Sequence, residues 1–170
     1  RAEVHAVLEK TTAEKEILKQ TTPLLTSDEF GKVEIDHKER HGQFYVAELT
    51  KFDDLEDIGS YPYKVKKLLS ASAGESAYFV FMMRNVTETP KIDAPCIGTF
   101  VTSIIWVRAD EKMIPRDARS QVVSSCLLAR KQIAEPATMD GKLVVKYQDA
   151  TGNHSLTYDN ATAANGFKVE

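Results

Sequence analysis

Two stretches within residues 32–49 alternate between apolar and polar side chains with a period of two. "KVEID" (32–36) and "QFYVAEL" (43–49) follow the pattern of half-buried strands, and "DHKERHG" (36–42) lies between them. The spacing predicts a hairpin with its turn at His41–Gly42. "YKVKKLLSA" (63–71) can be read as a strand or a short helix, with strand the favoured reading, and a turn follows at "SAGES". "AYFVFMMRN" (77–85) and "GTFVTSIIWVR" (98–108) are apolar on both faces, and such strands need cover on both sides. "KLVVKYQD" and "HSLTYD" form a further hairpin across "ATGN".

Two segments follow a helical pattern instead. Residues 2–20 carry apolar patches at Val4, Val7 and Leu8 and at Ile17 and Leu18, spaced by Lys and Glu, which predicts a docked helical arm. Residues 116–134 read as a helix entered at Pro115 and stopped by Glu135–Pro136. Its buried face holds Val122, Val123, Cys126, Leu127 and Ile133. The expected fold is α+β: an antiparallel sheet of hairpins, an N-terminal helical arm, and the 116–134 helix packed on or exchanged across the sheet. The arm takes residues 1–22 and the core 23–149. A terminal hairpin strand and a loose tail take 150–170.

Length and composition support a globular chain with a real core. Of 170 residues, 42% are hydrophobic and 28% charged, and no apolar run is long enough to be a membrane-spanning helix, so no membrane partner is expected. The net charge of −3 is uneven. Residues 1–60 hold 8 basic and 14 acidic groups, whereas residues 61–136 hold 11 basic and 7 acidic. The basic middle directs attention to Lys64, Lys66, Lys67 and Arg84, on strands expected to be neighbours. Basic groups on a sheet face can hold phosphates, with Tyr63 or Tyr78 available for base stacking. Solvated lysines on an amphipathic strand are the plain alternative.

Other chemistry is sparse. His37 and His41 would share a helix face, but on a strand the same spacing separates them by roughly 13 Å, too far for one ion. No metal site and no cofactor are expected. No serine lies in a nucleophile elbow, and no glycine-rich phosphate loop is present. The acidic pairs Asp53–Asp54, Glu56–Asp57 and Asp110–Glu111 sit in polar, turn-like segments, where solvated acids are the default. No catalytic residue is assigned. Cys96 and Cys126 are too few for a disulfide framework, and a single bridge and two free thiols both stay open. Three of the four asparagines, Asn85, Asn153 and Asn160, stand in glycosylation sequons, which favours a secretory history. The chain starts at Arg1, which fits processing or trimming and leaves the compartment open.

The run from "YKVKKLLSASAGESAYFVFMMRN" through a Pro-rich loop and "GTFVTSIIWV" to "RDARSQVVSSCLLARKQI" resembles the coat proteins of single-stranded RNA bacteriophages. The likeness spans residues 31–134 and lies in the order of elements. It implies a dimer clasped by the helical region, an RNA-facing sheet and assembly into a virion shell. The arm before residue 21, the hairpin after residue 140 and the sequons depart from that pattern. The expectation is a non-enzymatic structural subunit that self-associates, a homo-oligomer with an RNA-facing sheet. The alternative is a secreted, N-glycosylated binding domain bridged at Cys96–Cys126.

Overall fold

Period-two alternation governs the fold more widely than expected. The computed structural model describes residues 32–37, 40–52, 62–86, 96 and 98–170. Within them the chain is almost wholly antiparallel strand. Strands β1 (Lys32–His37) and β2 (Arg40–Tyr45) form a hairpin, followed by a 3-10 turn at Val46–Lys51. Strands β3 (Pro62–Ala73), β4 (Ser76–Val86), β5 (Phe100–Ala109) and β6 (Pro115–Ser124) form a four-stranded meander. Strands β7 (Lys131–Gln132), β8 (Ala137–Met139), β9 (Lys142–Asp149), β10 (Gly152–Asp159) and β11 (Lys168–Val169) form a second sheet.

The two-sided strands explain the layering. Phe79, Phe81, Met83, Ile105 and Val107 point to one face, where Val33, Phe44, Val46 and Leu49 of the hairpin and its 3-10 turn cover them. Tyr78, Val80, Met82, Ile104 and Trp106 point to the other, where Leu143, Val145, Tyr147, Leu156 and Tyr158 of the second sheet cover them. Both faces of β4 and β5 are therefore buried by the chain itself. Burying one large apolar side chain contributes roughly 1.5–3 kcal/mol, so each layer is a substantial core.

The α+β expectation is overturned. Residues 116–134 form a strand, a tight turn and a short strand instead of a helix. In β6, Ala118 packs into the first core, while Arg119 lies over the Trp106 ring and Val123 joins the second core. That is alternation with a period of two. Pro115 is the first residue of β6, a place where the missing N–H is tolerated. The predicted helical arm at 1–22 lies outside the described residues.

The predicted hairpins do form, but the first is shorter than 32–49, because β2 ends at Tyr45 and Val46–Leu49 belong to the 3-10 turn, and its own turn is displaced. His37 pairs with Arg40 and His41 with Asp36, so His41–Gly42 belongs to β2 and not to the turn. The tail expected to be loose is docked. Residues Asn160–Asn165 form a 3-10 turn that buries Ala163, and β11 pairs with β10 at Leu156 and Thr157. The indole Nε1 of Trp106 donates to the Ala163 carbonyl at 2.9 Å and ties this turn to the sheet.

Candidate anion-binding sheet face

Strand β3 changes the side on which it is apolar. Val65 packs towards the first core, but a register shift between Lys67 and Leu69 turns Leu69 and Ala71 towards the second. A bulge of this kind re-aims every side chain beyond it. The lysines are sorted accordingly. Lys64 stands opposite Arg84 and Lys66 opposite Met82, on the second-core face, whereas Lys67 stands opposite Phe81 on the first-core face. Three of the four basic residues expected to act together thus share a face, and Lys67 does not.

Lys64, Arg84, Thr102 and Ser124 continue one row across all four strands. Lys64 and Lys66 are exposed, and Arg84 is half-buried with its Nε sealed from solvent and without a hydrogen-bond partner. Its guanidinium lies 5.9 Å from the Phe100 ring centroid. None of these three cations forms an ion pair with a described residue. Like charges facing each other across strands are destabilising. An anion lying over this row would relieve that repulsion.

Three other arginines, Arg116, Arg119 and Arg130, are committed elsewhere. Arg116 Nε donates to Asp110 Oδ2 at 2.8 Å. Asp110 also accepts the backbone N–H groups of Ile114 and Lys112, at 3.0 and 2.8 Å. These bonds, led by that from Ile114, hold the carboxyl below the usual range and shape the turn into β6. Arg119 lies 5.1 Å from the Trp106 ring and donates to the Asn165 carbonyl. Arg130 spans the Tyr147 ring, the Val122 carbonyl and Asp149.

One polar cluster escaped the sequence reading. At the β9–β10 turn, Asp149 Oδ1 accepts from Thr151 Oγ1 at 2.6 Å and from the Thr151 N–H at 2.8 Å, and lies 2.9 Å from His154 Nε2. Thr151 first, then His154, hold the Asp149 carboxyl down to about 2. Thr151 Oγ1 also lies 2.8 Å from that same ring nitrogen. A nucleophile relay needs hydroxyl and carboxylate on different ring nitrogens. Here both meet Nε2, so the cluster is a hairpin clamp. A pattern of Asp-x-Thr-x-x-His in a short loop could have pointed to it.

Cys96 and Cys126 are bonded to each other, with Cα atoms 5.5 Å apart. The sequons differ sharply. Asn85 is 1% exposed, and both polar atoms of its side chain are buried without partners. Asn160 is half-buried and donates to the Ser70 carbonyl at 3.2 Å. Asn153 is exposed, at the start of β10. A concavity of about 320 Å³ beside β9 and β10 is lined by Lys142, Lys168, Thr157, Thr162, Asn165 and Asp159, a mixture of charges with no dominant sign. Among the described residues no His, Cys, Asp and Glu group of three or more is placed to hold a metal ion. No family model matches the chain, and neither a curated protein nor a solved structure matches it.

Proposed function

We propose that this chain is a disulfide-braced binding domain of an oxidising compartment, which holds an anionic partner on the Lys64–Lys66–Arg84 face. The like-charged Lys64–Arg84 pair, with Lys66 beside it and no carboxylate opposite among the described residues, carries the reading. Bridging of both cysteines supports the compartment, because such bonds persist in secreted and periplasmic proteins. The self-assembling coat reading has lost two supports. The helix that would clasp a partner is a strand and turn, and the two-sided strands are covered within the chain.

Salt elution from immobilised heparin and from single-stranded RNA tests the binding. Retention of a protein with a pI near 5.9 would itself require a local basic site. Lys64→Glu/Lys66→Glu is expected to elute at clearly lower salt, and Lys67→Glu close to the wild type. No retention of the wild type, or equal effects of both variants, removes the reading. A large particle in light scattering of native material would restore the assembly alternative.

A further inference from the structure

The strand ends that carry the basic row also carry the turn from β6 to β7, and this turn is unusual. Ser125 and Arg130 exchange two backbone hydrogen bonds at 3.0 Å, the Leu128 N–H donates to Ser125 Oγ, and the Ala129 N–H donates to the Cys126 carbonyl. The bond from Cys126 to Cys96 adds a covalent restraint. Turns with this much bracing ordinarily display Gly, Asn, Asp or Ser. This one displays Leu127 and Leu128, 46% and 48% exposed, and Ala129 takes a φ of +50°. The turn begins just after Ser124, which shares its cross-sheet row with Arg84 and Lys64. Phe100, 43% exposed, opens β5 at the same end, and Lys131 is exposed just past the turn.

Isolated exposed leucines need no explanation, but two on a rigid tip, beside cations that form no ion pair with a described residue, make an amphipathic end. We infer that this end of the sheet docks on an anionic lipid surface. Leu127 and Leu128 enter the boundary between headgroups and acyl chains, and Lys64, Lys66 and Lys131 lie over anionic headgroups. Apolar insertion combined with basic groups is the known physical basis of peripheral attachment. It is distinct from spanning, for which no helix among the described residues is long and apolar enough. The inference rests on the anion-binding reading above and names its partner. A second copy of the chain fits this end less well, because it would bring the same positive row against itself.

Co-sedimentation of the intact, disulfide-bonded chain with phosphatidylcholine vesicles, with and without phosphatidylglycerol, tests it alongside heparin retention. The wild type is expected to sediment with the anionic vesicles and to stay in solution with the zwitterionic ones. Leu127→Ser/Leu128→Ser should lower vesicle affinity on the order of tenfold while heparin retention is unchanged. Lys64→Glu/Lys66→Glu should lose both. Thermal melts confirm that the leucine variant folds, as exposed sites allow. Vesicle binding that survives the leucine change overturns the inference, as does equal binding to both vesicle types. Heparin retention without vesicle binding overturns it while leaving the anion site standing. Loss of both in the wild type removes the underlying reading too.

Discussion

Gly42 stands inside β2 because nothing larger fits there. A Cβ at this position would lie 2.6 Å from the Met113 Cβ, closer than two such carbons approach. Met113 is itself buried and takes a φ of +64°, in the turn that leads to β6. Gly42→Ala must move one of two backbones, and a loss of about 1–3 kcal/mol is expected in denaturant melts, as for other overpacked sites. A neutral outcome would mean that the Met113 turn yields easily. Asn153 supports a second prediction at this scale. Of the three sequon asparagines it alone is exposed, so expression through a glycosylating secretory route should place a glycan on Asn153 and leave folded Asn85 and Asn160 bare. Peptide mapping after glycosidase treatment checks this, and a glycan on Asn85 would contradict its burial. The sequence shows that Gly42 and these sequons exist. It does not show their surroundings: a glycine in "HG" reads equally as a turn or as a point of close approach, and the difference depends on Met113, 71 positions away along the chain.

At the scale of elements, the strands with strong alternation or unbroken apolar runs were legible, and β6 was not. Its apolar positions after residue 121 also fit one side of a helix, and Pro115 suits a helix start as well as a strand start. No glycine or proline marks the turn at residues 126–129, because the disulfide and the Ser125 side chain hold it instead. Residues counted as a buried helix face, Leu127 and Ile133 among them, are exposed. The basic residues of β3 and β4 were legible as a group, but the bulge that separates Lys67 from the others left no mark in the composition. That geometry gives a prediction in which stability and binding move in opposite directions. Lys64→Glu replaces a like-charged cross-strand pair with an opposite-charged one facing Arg84. The variant should gain roughly 0.2–1 kcal/mol in stability at low salt and lose anion affinity. A thermal melt paired with heparin elution reads both. A variant that loses stability as well as binding would show that Lys64 and Arg84 do not repel as the register implies.

In the whole molecule, the two cores are the two sides of the same strands. Phe81 belongs to the first core and its chain neighbours Val80 and Met82 to the second. The need for cover on both faces was evident from "YFVFMM" and "SIIWV", but its source was not. Pairing across long stretches of chain assigns the N-terminal hairpin to one face and the C-terminal sheet to the other, and periodicity carries no such information. This arrangement couples the layers, because β4 cannot leave one core and remain in the other. The single tryptophan, Trp106, is buried in the second core against Tyr78, so its fluorescence reports the layer opposite Phe81. Phe81→Ala should cost about 3–5 kcal/mol, the usual range for emptying an aromatic site. The loss should appear in full in the Trp106 transition, with the same midpoint as the circular dichroism of the strands. If the layers were independent, Trp106 would keep its wild-type midpoint while dichroism fell in two steps. That outcome would also separate the disulfide-braced basic end of the shared sheet from the stability of the layer above it.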